Sequence, residues 1–125
     1  MEIEWACHVL AMGKPRPRVT RSGAYMPQAY RDCQDELRNS ALEAFARHVA
    51  RGASWDVDAL MAVELAFVLP DRRRRDVDNL AGGVLDALNK VAWRDDSQVV
   101  ELTARKLYVP RAASVTIRLR ALPNE

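Results

Sequence analysis

Between Pro70 and Val100 the chain reads PDRRRRDVDNLAGGVLDALNKVAWRDDSQVV. Four consecutive arginines, Arg72, Arg73, Arg74 and Arg75, stand against two groups of aspartates, Asp76 with Asp78 and Asp95 with Asp96. Opposite charges that only kept a surface solvated would cancel one another, so the mixture points to a chemistry that uses both signs. Phosphodiester hydrolysis is one. Carboxylate oxygens are the hard ligands Mg²⁺ takes, a few at a time, with positions left open for water and phosphate. A metal held this way generates a hydroxide nucleophile and stabilises the attacking and leaving oxygens, while arginines beside it attract the polyanion that carboxylates alone would repel. Plainer readings stay open beside this one. Aspartate at a helix start serves as a cap and complements the helix dipole, and RRRR fits a solvated turn. Capping accounts for one member of the Asp76/Asp78 pair, less well for the second, and not at all for Asp95 and Asp96. These precede a later strand that could return them to the same end of a sheet.

The elements that must position these residues follow from periodicity. Ile3 to Leu10 alternates as a strand and ends by Gly13. KPRPRVTRSGAYMP is rich in Pro, Arg and Gly and predicts a loop without regular structure. It carries Lys14, Arg16, Arg18 and Arg21 with no acid among them, a second basic patch free to reach a partner. Pro27 suits the first position of a long helix running to His48, with Gly52 just past its end. Leu60 to Leu69 predicts a central strand covered on both sides and stopped by Pro70. From Asn79 to about Val91 a second helix places Leu80, Val84, Leu88 and Val91 on one stripe, with Asn79, Gly82, Asp86 and Lys90 opposite. Val99 to Val109 and Ser114 to Arg120 predict two strands joined across PRAA. The expected fold is α/β, a mixed β-sheet with two packed α-helices in the order β-α-β-α-β-β.

The 125 residues suit one domain, 1–125, with a core of its own. With 49% hydrophobic and 29% charged residues, neither a disordered nor a fibrous class fits. No apolar run is long enough to span a bilayer and the N-terminus lacks a basic segment followed by an apolar one, so a cytoplasmic location is expected. Cys7 and Cys33 have neither C-x-x-C spacing nor a nearby histidine pair and are read as packing residues. The net charge of +2 is too small to identify a nucleic-acid binder, so the two local patches carry that argument. Trp5, Trp55 and Trp93 suit packing better than base stacking. His8 and His48 have no partner spacing that makes either a general base.

PDRRRRDVDNL followed by VLDALNKVAWRDDSQVV resembles the RusA family of Holliday-junction resolvases, and the similarity extends more loosely through GKPRPRVTR and AYMPQAYRD, covering nearly the whole chain in order. The resemblance implies a homodimeric, Mg²⁺-dependent endodeoxyribonuclease that cuts four-way junctions by paired nicking in recombination and repair and is commonly carried by phages and prophages. Carried over by position, the catalytic metal ligands are Asp76, Asp78 and Asp96, with Asp95 a neighbour, and the DNA contacts fall on the two basic patches. A twofold-symmetric junction cut on opposed strands suits two symmetry-related sites. The chain departs from the family pattern at Gly82, where a functional lysine is expected one helical turn after Asp78. Gly82 and Gly83 also cost a helix roughly 1 kcal/mol each relative to alanine, which small residues repay where another backbone approaches closely. Candidate substitute cations are Arg75, Lys90 and Arg94, or Lys14 and Arg16 arriving from a partner subunit. The competing reading is a junction-binding protein that cleaves weakly or not at all because of Gly82. An RNA-binding module lacks the expected aromatic platform.

Overall fold

The structure, a computed structural model, describes residues 1–123 and leaves 124 and 125 of the expected domain outside the described residues. Strand β1 (Glu2–Cys7) alternates as its sequence requires, with Ile3, Trp5 and Cys7 buried. Its register with the last strand pairs these residues with Leu119, Ile117 and Val115. The basic segment expected to be irregular instead folds into a short hairpin of β2 (Arg18–Thr20) and β3 (Gly23–Tyr25). Gly23 at φ 119° and a Ser22 N–H to Thr20 Oγ1 bond of 3.2 Å close its turn. The prolines lie just outside β2, so they permit the pairing that composition alone argued against. All six strand residues of the hairpin are exposed.

Helix α1 (Gln28–Ala50) starts one residue later than expected: the Pro27 carbonyl accepts the Arg31 N–H at 3.1 Å, making Pro27 the flanking residue. Strand β4 (Met61–Leu69) sends Met61, Val63, Leu65, Phe67 and Leu69 into the core, and Glu64 to the opposite, open face. It is central but covered on one side only, which corrects the expectation of two covered faces. Helix α2 (Val77–Leu88) begins two residues before the expected start and stops three before the expected end. Lys90 adopts φ 66°, a left-handed conformation that an α-helix cannot continue through. Leu80, Val84 and Leu88 form the buried stripe, as the spacing predicts.

A 3₁₀ turn (Asp96–Gln98) leads into β5 (Val99–Tyr108), which β6 (Ser114–Ala121) follows. The sheet order is β1-β6-β4-β5, with β4 parallel to β5 and antiparallel to β6. The strands joined across Pro110–Ala113 are therefore not neighbours, because β4 lies between them. Both helices cover one sheet face over the same apolar cluster. Each large side chain buried there, Phe67 or Leu88 for example, contributes roughly 1.5–3 kcal/mol. The other face carries a polar ladder in which Arg118 bridges Glu2 and Glu64 and Arg120 reaches Glu101. Cys7 and Cys33 are buried free thiols, as their spacing suggested.

Candidate active site

Asp76 occupies the position just before α2, in extended conformation, yet its carboxylate makes no capping hydrogen bond. Its charged partner is Arg74, with Nε at 3.6 Å, and both side chains are well exposed. Asp78 lies in the first turn of α2, and its Oδ1 accepts the Asn79 N–H at 2.9 Å. The capping explanation thus fails for Asp76 and accounts for one oxygen of Asp78. Two carboxylates remain at the positive end of a helix dipole, where anionic groups are favoured electrostatically. Asp76 and Asn79 line a cleft with Lys14, Arg74 and Arg75.

The four arginines divide by environment. Arg75 is the least exposed, donates Nη1 to Asp71 Oδ1 at 2.8 Å, and holds the Asp71 carboxyl below its usual range. Its carbonyl accepts Lys106 Nζ at 2.7 Å, tying the loop to β5. The Arg72 guanidinium lies 4.9 Å from the centre of the Tyr108 ring, a cation–π distance. Arg73 and Arg74 are well exposed, with side chains 83% and 90% accessible. Within one run of four identical residues, Arg75 is the half-buried structural side chain, while Arg72, lying over Tyr108, Arg73 and Arg74 all stay exposed to a polyanion.

Lys14 also lines this cleft. Its Nζ lies 3.2 Å from Asp86 Oδ2, and the same oxygen accepts the Tyr30 hydroxyl at 3.4 Å. Burial, with Asp86 adding to it, pushes the Tyr30 hydroxyl up to about 12. The segment before Lys14 crosses α2 closely: a Cβ on Gly83 would stand 2.7 Å from the Met12 carbonyl oxygen, and one on Gly13 would strike the Asn79 amide. A Cβ on Gly82 meets nothing within 4 Å. Adjacent glycines thus have different reasons. Gly82→Ala is expected to stabilise by about 1 kcal/mol through helix propensity. Gly83→Ala is expected to destabilise by about 1–3 kcal/mol, because it forces the Lys14 segment off the helix. Urea unfolding of the two variants measures both signs. Of the other candidate cations, Arg94 pairs with Asp58 and Lys90 lies beyond the far end of α2.

Asp95 and Asp96 lie elsewhere. Strands β4 and β5 run parallel, with Met61 opposite Val99 and Leu69 opposite Tyr108. Asp96 precedes the start of β5, whereas Asp76 and Asp78 follow the end of β4. The pairs are therefore at opposite ends of the sheet, separated by about the length of a nine-residue strand, roughly 26 Å. This corrects the expectation that Asp95 and Asp96 return to the same end. Among the described residues, no three His, Cys, Asp or Glu side chains come together as a metal cluster.

The two neighbouring acids also differ. Asp95 is a cap: its Oδ2 accepts the Ser97 N–H at 2.9 Å, while Gln98 Oε1 accepts the Asp95 N–H, also at 2.9 Å. The Ser97 hydroxyl and N–H hold the Asp95 carboxyl below its ordinary value. Gln98 Nε2 donates to the Val57 and Ala59 carbonyls, clamping the turn to the chain entering β4. The pattern D-D-S-Q carries this capping box in the sequence. Asp96 Oδ1 instead accepts the indole N–H of Trp93 at 2.7 Å, and Trp93 is 1% exposed. Trp93 is a packing residue and not a stacking platform.

The chain matches the model of the family described as "Endodeoxyribonuclease RusA" over residues 9–120. It is 36% identical over 89 residues to proteins named crossover junction endodeoxyribonuclease RusA from Enterobacteria phage 82 and Escherichia coli (strain K12), which spans 66% of this chain and 74% of each relative. A protein of that name from Shigella sonnei is 35% identical over 80 residues, 62% of this chain and 67% of its own.

Proposed function

The chain belongs to the RusA endodeoxyribonuclease family, and from that premise we propose that it is a Mg²⁺-dependent nuclease that resolves four-way DNA junctions as a homodimer. The observation that carries this reading is the pair of exposed carboxylates at the start of α2, of whose four oxygens the backbone takes only Asp78 Oδ1, beside a cleft lined by Lys14 and Arg74. Their hard, solvent-facing oxygens fit a divalent ion with open positions for water and phosphate. Asp76 and Asp78 are the proposed ligands from one protomer, and Asp96 is the third. A divalent ion held there would supply a nucleophilic hydroxide and charge neutralisation at the scissile phosphate.

A second copy reconciles the ligand set with the geometry. β5 is an edge strand exposing Val100, Leu102, Leu107 and Tyr108, an apolar border that an isolated sheet does not favour. Antiparallel pairing of two β5 edges about a twofold axis sets the start of one strand beside the end of the other. Asp96 of one copy then approaches Asp76 and Asp78 of its partner, and the symmetry produces two sites, one for each strand to be cut.

In a chain with no lysine at position 82, Lys14, paired with Asp86 one turn further along α2, is the proposed cation for the scissile phosphate. Arg73 and Arg74 border the same end, and Arg16, Arg18 and Arg21 extend the basic surface onto the exposed hairpin and its approach. These residues hold the polyanion together with the exposed Arg72, and Arg75 shapes the loop.

The test compares a synthetic four-way junction with linear duplex of the same sequence. Paired nicking of the junction in Mg²⁺, abolished by chelation while junction binding persists, is the expected result. Equal nicking of linear duplex overturns structure selectivity, and nicking that survives chelation overturns the metal. Binding without nicking under any Mg²⁺ concentration supports the junction-binding alternative. That alternative also requires a large gain in single-turnover cleavage by Gly82→Lys, a substitution the open space at Gly82 accommodates.

A further inference from the structure

We propose that Trp93 aims the Asp96 carboxylate at the divalent ion, and that the adjacent acids divide their work, Asp95 building the turn while Asp96 serves the site. The inference rests on the reading of Asp96 as a metal ligand. A buried indole N–H requires an acceptor, since leaving it unpaired is costly. The Trp93 side chain is 1% exposed and finds that acceptor in Asp96 Oδ1 at 2.7 Å. A bond to an ionised carboxylate is charge-assisted and short, and it fixes the group's orientation. No protein partner among the described residues is assigned to Oδ2 of Asp96, which leaves that oxygen for a ligand's role.

The backbone that carries the indole is itself anchored. The Trp93 carbonyl accepts the Lys90 N–H at 2.8 Å, and the preceding carbonyl, of Ala92, accepts Trp55 Nε1 at 2.8 Å. The turn does not need the Trp93–Asp96 bond for closure, because Asp95 and Gln98 already close it at both ends. The bond is thus surplus to the local fold and appropriate to orienting a ligand. Outer hydrogen-bond partners of metal ligands characteristically change affinity for the ion.

The probe is Mn²⁺ binding by calorimetry on the full-length protein, with Mg²⁺ titrations of junction nicking beside it. Trp93→Phe keeps an aromatic ring in the core and removes the donor. It is expected to weaken Mn²⁺ binding roughly 10- to 100-fold and to raise half-saturating Mg²⁺ correspondingly, with the saturating nicking rate close to that of the parent. A purely structural role would lower the saturating rate or the folded fraction without moving the metal dependence. A folded Trp93→Phe protein whose Mn²⁺ affinity stays within about twofold, beside an Asp96→Asn protein that has lost binding, overturns the role of Trp93 alone. An Asp96→Asn protein with undiminished affinity overturns the ligand assignment and this inference with it. Should Trp93→Phe fail to fold, the assigned indole resonances of the parent protein decide: Mg²⁺ is expected to shift that of Trp93 and leave that of Trp5, bonded to Ser40 Oγ, in place. An unmoved Trp93 resonance at saturating Mg²⁺ overturns the inference.

Discussion

Mixing two inactive proteins, Asp78→Asn and Asp96→Asn, is expected to restore nicking. In the proposed twofold arrangement each site takes Asp76 and Asp78 from one copy and Asp96 from the other. A mixed dimer therefore gathers both substitutions into one site and leaves its second site wholly intact. If the ligands belonged to a single protomer, every site in the mixture would carry one substitution and nothing would be regained. Random assortment of co-expressed chains makes half the dimers mixed, each with one of two sites intact, so about a quarter of parental nicking is expected. The product also differs in kind, since one working site yields a junction nicked on one strand instead of two resolved duplexes. Purification of the mixed dimer through two tags sharpens the result. Absence of recovered nicking in that dimer refutes the shared site. The experiment has this force because parallel β4 and β5 place the acids at opposite ends of one sheet.

Asp78→Asn by itself is expected to lower the nicking rate by on the order of 10³-fold, the scale of several kcal/mol lost from stabilisation of charge in the transition state. Junction affinity should be retained or slightly increased, because the change removes a negative charge facing phosphate. The substitution preserves size and keeps an acceptor for the Asn79 N–H, so the helix start should remain folded. Rates measured in single turnover, with binding followed separately in chelator, split the two effects. Equal nicking by the variant and its parent would remove Asp78 from the chemistry. Loss of binding in parallel with nicking would instead assign it a positioning role on DNA.

Much of this molecule is legible from the order of its residues. Alternation in Ile3–Cys7 and in Val115–Leu119 identifies strands with one buried side, and the Leu80, Val84, Leu88 spacing identifies the inward face of α2. Those patterns are local: a strand repeats every two residues and a helix every 3.6, so burial of one face writes itself directly into the chain. The acids and arginines between Pro70 and Val100 are equally visible, as is the family their pattern resembles. Strand adjacency is not local, and nothing in the PRAA segment indicates that β4 inserts between β5 and β6. Nor does the hairpin at Arg18–Tyr25 reveal itself, since its exposed strands lack the apolar alternation that burial imposes.

The sequence by itself determined which chemical groups this protein has to offer: clustered carboxylates, two basic patches and a glycine at position 82. Only the tertiary structure decided how they are distributed. It made Arg75 a brace and left Arg74 exposed, used Asp95 as a cap and bonded Asp96 to a buried indole, and brought Lys14 onto α2. It also set Asp96 a sheet's length from Asp76 and Asp78. The physical reason is that a residue's type fixes what it can bond, while its partners are fixed by chain segments that meet only when the sheet and its helices close over a common core.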